Sequence, residues 1–379
     1  MKIGFLVSHP TQFEGPFFQY ATRRAEHELH VVYTDPASET SSFDPELASN
    51  VSWGIDLLSG YSYSLMPRRN RIRWLLKNLR EQKYNLLIIN GYSKSEYLLA
   101  AVCARLVGTP TALRLDSVLF DRASRSKRLL KKAMFRVFSH LYQHFFATST
   151  LTVEYLERYG IERDRISIFS YAVDNDYFKE KSSLSCEAKG AARRRYNLPD
   201  EDRIILSVTK FNDRESPWDL LKAFCDMPRP RPLLLLVGDG SQRLSLEQYA
   251  RAHGADDVVF AGYVPYPELP ELYGIADVFV HPTPYEPWGV SVQEALACGL
   301  PVIASSKVGA GYDLIETDKN GSIYEVGDPK DLADKLVHLL ESDSLELVRQ
   351  ENDRILANWN YDSSWRNVIE ATRIVGLPG

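Results

Sequence analysis

The sequence predicts an α/β fold made of two doubly wound domains, each with a parallel sheet. Short apolar runs rich in β-branched residues recur along the whole chain, and segments with helical spacing separate them. The 379 residues are enough for two domains of ordinary size, each able to bury its own core. The composition, 44% hydrophobic and 25% charged, is that of a globular protein.

The first half of the chain opens as a βαβ unit. Two short apolar runs, residues 3–7 and 29–33, flank a segment with helical spacing. Residues 9–16, after the first run, contain no Gly-x-Gly-x-x-Gly pattern, so a nicotinamide or flavin site is poorly supported. His9 and Gly15 in this turn are candidates for a ligand-binding crevice, although a strand-end histidine is equally consistent with an ordinary loop.

Two further strands of the first half end in polar residues. The apolar residues 86–89 are followed by Asn90, and residues 111–115 are followed by Asp116. Because open α/β sheets bind ligands at the carboxyl ends of their strands, both side chains are site candidates. Asp116 either orients a substrate hydroxyl or accepts its proton, or it caps the following turn, and these interpretations stay open.

The second half is organised around residues 281–303. The apolar run 276–280 predicts a buried strand, after which come a loop, a helical segment that ends at Gly299, and another strand. The loop of this unit therefore lies at the carboxyl end of a parallel sheet. Elsewhere in this half, residues 179–189 predict a linker or surface loop, and residues 309–313 predict a flexible turn.

Two carboxylates, Glu286 in this loop and Glu294 in the helix, indicate which chemical groups a ligand of this loop would carry. The free N–H groups at a helix N-terminus suit a phosphate. Carboxylates repel phosphate but accept hydrogen bonds from sugar hydroxyls, so a ligand with both groups would use both features. The alternative is that Glu286 is a solvated loop residue and Glu294 an exposed helix residue, since surface glutamates are common.

Residues 286–304 carry a family resemblance. The string Glu-Pro-Trp-Gly-Val-Ser-Val-Gln-Glu-Ala-Leu-Ala-Cys-Gly-Leu-Pro-Val-Ile-Ala resembles the donor-site motif of the retaining GT-B glycosyltransferases of family four. In that family the first glutamate contacts hydroxyls of the donor sugar, and the second holds the ribose of the nucleotide. The resemblance therefore implies a catalytic role for Glu286 and a nucleotide-binding role for Glu294.

The resemblance also implies an architecture, in which two Rossmann-like domains face a cleft. Residues 1–172 would form the acceptor-binding domain, and residues 180–358 the domain that binds the nucleotide-sugar. A C-terminal helix, residues 360–379, would cross back onto the first domain.

Further donor-site residues follow from the same resemblance. The family has a cation where Lys210 stands and a second one about five residues later, where this chain has Glu215 instead. Arg214 is the nearest replacement. The remaining donor-binding candidates are Gly238, Gly289, Val290 and Ser291. In the first domain, many members of the family have a histidine beside the transferred sugar, and this chain has Asp116 at that position. Many members also have paired glycines at the first turn, and this chain has only Gly15 there.

These residues lead us to expect a glycosyltransferase. It would move a hexose from a nucleotide-diphosphate sugar to the hydroxyl of a sugar, lipid-linked or small-molecule acceptor, in the synthesis of a glycan, polysaccharide or glycolipid. UDP is the nucleotide that the family favours. The expected outcome is retention of anomeric configuration, with no metal and no further cofactor. A sugar-nucleotide epimerase on the same scaffold and a non-catalytic sugar-nucleotide or membrane-binding module are the alternatives.

Charge is distributed unevenly along the chain. Residues 1–170 carry 23 Lys and Arg against 16 Asp and Glu, a net charge of +7, so the remainder carries −12. Residues 66–80 and 122–145 contain no acid, and both have the apolar spacing of amphipathic helices. The first places Ile72, Leu75, Leu76 and Leu79 on one face, and the second Leu129, Ala133, Val137 and Leu141.

Each basic helix either has an ordinary solvated face or rests on an anionic membrane surface. We expect a cytoplasmic protein that such contacts would hold at the inner face of the membrane. Nucleic acid is not an expected partner, because aromatic residues are not interleaved with the basic ones as stacking platforms. The four cysteines have no metal-type spacing and are expected to be reduced.

Overall fold

The computed structural model describes residues 1–24, 26–35, 54–120, 124–200, 202–341 and 345–376, together with the backbone of residues 42–44 and 49–51. Its contacts divide the chain into two compact units. Unit 1 comprises Met1–Thr40, Asp56–Ala172 and Trp359–Gly379. Unit 2 comprises Ser41–Ile55 and Val173–Asn358.

The first half of the chain alternates strands and helices. Its elements are β1 (Lys2–Val7), α1 (Glu14–Arg23), β2 (Glu28–Tyr33), β3 (Ser42–Asp44), β4 (Ser49–Val51), β5 (Ser62–Leu65), α2 (Arg71–Gln82), β6 (Leu86–Asn90), α3 (Ser95–Val107), β7 (Thr111–Leu115), α4 (Arg125–Leu141), β8 (His144–Ala147), α5 (Thr150–Arg158) and β9 (Ile166–Ile168). The short strands β3 and β4 pair with each other in an antiparallel hairpin.

The second half continues the alternation. Its elements are α6 (Asn175–Ser182), α7 (Cys186–Arg195), β10 (Ile204–Val208), α8 (Trp218–Asp226), β11 (Leu233–Val237), α9 (Arg243–Ala252), β12 (Val258–Gly262), α10 (Leu269–Ile275), β13 (Val278–His281), α11 (Val290–Ala297), β14 (Val302–Ser305), α12 (Gly309–Leu314), β15 (Gly321–Tyr324), α13 (Pro329–Glu341), α14 (Leu345–Leu356) and α15 (Tyr361–Gly376).

The sheet of unit 1 has seven parallel strands in the order β5-β2-β1-β6-β7-β8-β9. Its faces are covered separately, because successive side chains of a strand point to opposite faces. In β1, Phe5 belongs to the core that contains α1 and α15. Its neighbour Leu6 belongs to the core that contains the inner sides of α2, α3, α4 and α5. A sheet buried on both faces explains why its strands are continuous apolar runs.

The sheet of unit 2 has six parallel strands in the order β12-β11-β10-β13-β14-β15. The strand β10 lies at its centre, with β11 on one side and β13 on the other. This reversal of strand order is the topological switch point, beyond which α/β sheets bind their ligands. The parallel α/β architecture that the apolar runs predict is thus confirmed in both halves of the chain.

Two local predictions for the second half are wrong. Residues 179–189 are not a linker, because they belong mainly to α6 and α7. Each helix begins at an N-cap side chain, since Asp174 accepts a hydrogen bond from the backbone of Tyr177 and Ser185 accepts one from Ala188. Residues 309–313 are likewise helical and form most of α12. Capping and tertiary contact outweigh the polar and glycine-rich composition.

The prediction of which side of the second basic helix is buried is also wrong. The buried residues of α4 are Phe135 and Phe138, whereas Leu129, Ala133 and Val137 are exposed. The helix ends at Leu141, and the end of the predicted segment belongs to β8; Arg122 lies outside the described residues. Aromatic side chains bury more area than Leu or Ala, so they decide which side of the helix faces the core.

Ile72 of α2 likewise lies outside the core that Leu75 and Leu79 join. Within the described ranges, no helix is long and apolar enough to cross a membrane.

Candidate functional site

The switch point of unit 2 collects most of the donor-site candidates. Lys210 follows β10, Gly238 follows β11, and Glu286 lies in the loop after β13, so all three belong to the carboxyl edge of one sheet. The loops after β10 and β11 are directly joined, since the backbone N–H of Phe211 donates to the carbonyl of Asp239 over 3.0 Å.

The loop that carries Glu286 is tied to the loop after β14 by its backbone. The N–H of Glu286 donates to the carbonyl of Lys307 over 2.9 Å, and its own carbonyl accepts from Gly309 over 2.9 Å. The carbonyl of Trp288 accepts from Ala310 over 2.7 Å, and the indole of Trp288 is buried. These bonds hold the half-buried Glu286 in a defined place before α11.

Three positions near this edge require glycine, two because the backbone comes close to itself and one because of its positive φ. A Cβ at Gly309 would lie 1.9 Å from the carbonyl oxygen of Pro287, and one at Gly238 would lie 1.9 Å from that of Thr209. Gly289, the residue before α11, has φ of +103°, a conformation that other residues rarely adopt. Gly238 and Gly289 thus bring main chain, without side chains, to the edge of the sheet.

Glu294 lies in the second turn of α11 and is only 5% exposed. Its Oε2 accepts a hydrogen bond of 2.8 Å from the hydroxyl of Tyr273 in α10. Burial raises the pKa of Glu294 to about 7, and the bond from Tyr273 opposes that shift. The interpretation of Glu294 as an exposed surface residue is therefore wrong.

His281 connects the end of β13 to the first turn of α11. Its Nδ1 lies 3.1 Å from the hydroxyl of Ser291, and its ring stacks on Phe279. Burial lowers the pKa of His281 to about 4, so the ring is neutral at neutral pH. A neutral ring adds no positive charge at the N-terminus of α11.

The two cations expected near a diphosphate differ in their surroundings. Lys210 is half-buried, and its backbone N–H donates to the carboxylate of Glu215 over 3.2 Å. The guanidinium of Arg214 is exposed and pairs with the other oxygen of Glu215 at 2.9 Å. Glu215 therefore offsets part of the positive charge that Arg214 was expected to supply.

In unit 1, a buried network occupies the corresponding edge at the β1–β6 switch point. The amide of Asn90 donates to Oε1 of Glu14 over 2.9 Å, and Arg114 contacts the same oxygen at 2.9 Å. Arg114 also donates to the carbonyls of Phe169 and Ser170. Asn90 is therefore engaged inside the protein as a partner of a buried ion pair.

Asp116 is half-buried at the end of β7 and accepts a hydrogen bond of 3.2 Å from the hydroxyl of Tyr171. Burial and the nearby carboxylate raise the pKa of Tyr171 well above its usual range, so the tyrosine stays a donor. The Tyr171 ring also lies against the guanidinium of Arg114, 4.4 Å from its centroid. This contact links Asp116 to the buried ion pair.

The remaining two candidates of unit 1 lie on either side of the first turn. His9 is exposed, and its Nδ1 lies 2.9 Å from the hydroxyl of Ser8. Gly15 is inside the first turn of α1, where a Cβ would meet the carbonyl oxygen of Leu57 at 3.0 Å. Packing accounts for the glycine at that position.

Family models match both halves of the chain. Residues 19–172 match the model described as "Glycosyl transferase 4-like domain", and residues 188–355 match "Glycosyl transferases group 1". Both halves of the chain therefore match glycosyltransferase models, and the fold is GT-B. The fold of this GT-B chain is shared with a solved Anabaena protein, Alr3699/HepE in complex with UDP, at a TM-score of 0.79 and 16% identity, over 99% of this chain and 100% of that one.

Curated relatives of this GT-B chain match it over only about half of its length. A D-inositol 3-phosphate glycosyltransferase of Thermomonospora curvata is 32% identical over 196 residues, which are 48% of this chain and 45% of the relative. An N-acetyl-alpha-D-glucosaminyl L-malate synthase of Bacillus anthracis is 26% identical over 194 residues, 51% of this chain and 48% of the relative. The chain thus spans about half the length of the curated relatives it matches.

Sequence reasoning missed four residues that shape these two edges of the GT-B chain, namely Glu14, Arg114, Tyr273 and His281. One signal was present, because a charged residue inside the apolar run Leu113-Arg114-Leu115 must find a partner when the strand is buried. Tyr273 and His281 had no comparable signal. Within the described residues, no three His, Cys, Asp or Glu side chains form a group that could hold a metal ion.

Proposed function

We propose that the chain is a retaining glycosyltransferase that uses a nucleotide-diphosphate sugar, with the donor held by unit 2. The observation that carries the proposal is the α11 segment. It combines a main-chain turn at Gly289, a helix N-terminus and two carboxylates at the switch point of one sheet.

The diphosphate of the donor would lie at the N-terminus of α11. The backbone N–H groups of Val290 and Ser291 would donate to it, and the main chain at Gly238 and Gly289 leaves room for close approach. Lys210 would supply the main countercharge. Arg214 would contribute less, because Glu215 offsets its charge.

The two glutamates would recognise the sugar parts of the donor. Glu294 would accept hydrogen bonds from the ribose hydroxyls through Oε1, while Tyr273 fixes the position of Oε2. Glu286 would contact hydroxyls of the transferred sugar, because its loop is held by the strand-like contact with residues 307–310. UDP is the favoured nucleotide, in accord with the Anabaena protein of the same fold, whose structure was solved in complex with UDP.

Transfer with retention would place the acceptor hydroxyl on the same face of the sugar as the leaving diphosphate. The acceptor oxygen bonds to the anomeric carbon as the bond to the diphosphate oxygen breaks, and that diphosphate oxygen takes the acceptor's proton. Asp116 would orient the acceptor hydroxyl, and Tyr171 and Arg114 would hold Asp116 in place. Protein groups then act by positioning and charge stabilisation, without metal or further cofactor.

A thermal-shift screen with UDP-, GDP- and ADP-sugars tests the donor, because a ligand of the native state raises the melting temperature. We expect UDP-sugars to give the largest shift. Glu294→Gln should weaken nucleotide binding about 10- to 100-fold, as expected for a lost charged hydrogen bond. Glu286→Gln should keep nucleotide binding and slow transfer about 100-fold.

Glu187→Gln, at an exposed glutamate of α7, is the matched control and should behave as wild type. Wild-type behaviour of both site variants would refute the assignment. An isomerised sugar without any acceptor would instead indicate an epimerase, and binding without turnover of any acceptor would indicate a binding module.

A further inference from the structure

The helices α2, α3, α4 and α5 cover one face of the unit 1 sheet and leave large apolar side chains on their outer side. Their inner sides share one core. The outer apolar residues, 43–74% exposed, are Ile72, Leu98, Val102, Leu106, Leu129, Leu130 and Val137. Isolated exposed apolar residues are normal, but seven on adjoining helices indicate a functional surface.

On α3 the exposed residues form a regular stripe. Leu98, Val102 and Leu106 recur at every fourth position and therefore lie on one side of the helix. The opposite side of α3 is buried through residues such as Ala100 and Ala104. The helix is thus apolar on its outer as well as its inner side, which is unusual for a helix that faces water.

Exposed basic residues lie on the same three helices. On α4 they are Arg125, Lys127, Arg128, Lys132 and Arg136, and on α2 and α3 they include Arg73, Lys77, Arg80 and Arg105. The helix α4 contains no acidic residue. The acids of α2 and α3 pair with cations there, Glu81 with Lys77 at 3.7 Å and Glu96 with Arg71 at 2.8 Å. The net charge of these three helices is strongly positive.

A cavity of about 460 Å³ opens beside the exposed Leu129. It is lined by Arg125, Arg128, Leu129, Lys132, Arg158 and Tyr159 of α4 and α5. None of these four cations forms a side-chain ion pair or hydrogen bond with another described residue. Four cations around one opening repel each other unless an anion lies between them, and phosphate is the anion that such a cluster suits.

We propose that this outer surface of α2, α3 and α4, here named the lipid face, docks on an anionic phospholipid bilayer. Its leucines and valines would enter the interface, and the cations of the α4–α5 cavity would bind headgroup phosphates. A second copy of the chain is a poor occupant, because two such positive surfaces would repel each other.

The proposal concerns unit 1 alone and does not depend on the donor site. It extends the expectation for residues 66–80 and 122–145 by adding α3, and it assigns the contact to the residues that the structure leaves exposed.

Co-sedimentation with vesicles tests the lipid face. The purified chain should pellet with phosphatidylcholine vesicles that contain phosphatidylglycerol, not with pure phosphatidylcholine, and it should be released at high salt. The double variant R128E/K132E should lower the partition coefficient at least about tenfold, given about 1 kcal/mol for each cation near the membrane. The double variant L129S/L130S should also lower it, and this loss should persist at low salt.

Matched controls use α15, which packs on the opposite face of the same sheet. Arg373→Glu and Ile374→Ser change an exposed cation and an exposed apolar residue there and should bind vesicles as wild type does. No vesicle binding, equal binding to neutral vesicles, or equal losses in the controls would overturn the proposal. A dimer in ultracentrifugation that L129S/L130S dissociates, without lipid binding, would assign this surface to a second copy instead.

Discussion

At the scale of single residues, the environment of Glu294 has a large energetic consequence. Its carboxyl is almost fully buried and accepts a hydrogen bond from one neutral donor, the hydroxyl of Tyr273. A buried carboxylate with so little compensation is costly to ionise. The same carboxylate is suited to accept hydroxyl donors from a ligand, so the cost is consistent with a binding role.

This environment predicts a dependence of stability on pH. The pKa of Glu294 is about 7 in the folded chain, above the ordinary 4.5 of an unfolded glutamate. The folded state therefore holds the proton more tightly, and this stabilising contribution is complete below about pH 4.5 and lost as pH rises to about 7. The stability of Glu294→Gln relative to wild type should thus increase between pH 5 and pH 8, by on the order of 3 kcal/mol.

Urea unfolding of both proteins at the two pH values, without nucleotide, measures the difference. The comparison between the two proteins is needed because three buried histidines change the stability with pH in the direction opposite to that of Glu294. His30, His144 and His281 have pKa values lowered to about 4, so their contribution rises with pH. If the difference in unfolding free energy between the two proteins does not change with pH, the raised pKa of the buried Glu294 is contradicted.

At the scale of elements, the loop before α11 depends on α12 for its position. The backbone of residues 286–288 is bonded to residues 307–310, and Gly309 touches the carbonyl of Pro287. The predicted flexible turn is in fact a short helix that fixes this loop. A second structural element, distant by about twenty residues in sequence, thus decides where Glu286 lies.

Gly309→Ala should displace this loop, because its Cβ would lie 1.9 Å from a backbone oxygen. We expect a loss of stability of about 1–3 kcal/mol, typical of overpacking, and slower transfer. Gly311→Ala in the same helix is the control, since its Cβ would make ordinary contacts at 3.5 Å. It should be neutral or stabilising. Equal melting temperatures and equal transfer rates for the two variants would show that the contact does not matter.

At the scale of the whole molecule, each unit has its own parallel sheet, its own core and its own switch point. The candidates of unit 2 line one edge, whereas in unit 1 the candidate Asp116 is linked through Tyr171 to a buried ion pair that the sequence analysis did not predict. The two edges therefore differ chemically. Unit 2 presents backbone donors and carboxylates, and unit 1 presents a half-buried acid held by a tyrosine that itself lies against Arg114.

Hydrogen exchange should map the nucleotide onto unit 2. Adding UDP should slow amide exchange in peptides that contain residues 207–212, 237–241 and 286–297, since bound amides open less often. Exchange in α3 and α4 should not change. Protection that appears first in the helices of unit 1 would place the nucleotide there. No protection at saturating UDP would contradict the binding of UDP to unit 2.

The sequence alone was sufficient for the parallel α/β architecture and for the expectation of a glycosyltransferase with the GT-B fold. Strands buried on both faces must be continuous apolar runs, and the donor-site string of residues 286–304 is long enough to be specific. The orientation of α4 was not predictable from periodicity, because the helix has one apolar side with Leu129 and Val137 and another with Phe135 and Phe138. Only packing on the sheet determines which of these sides is buried. The assignments of Glu286, Glu294 and the other site residues stay predictions.

Local sequence determined where strands end and which polar residues follow them, because strand formation and chain reversal depend on neighbouring residues. Only the tertiary structure decided that Glu294 is buried against Tyr273, that Arg114 pairs with Glu14 a hundred residues earlier, and that the leucines of α4 face outward. Burial and pairing join segments far apart in the chain, and the pKa of a group is set by those distant neighbours.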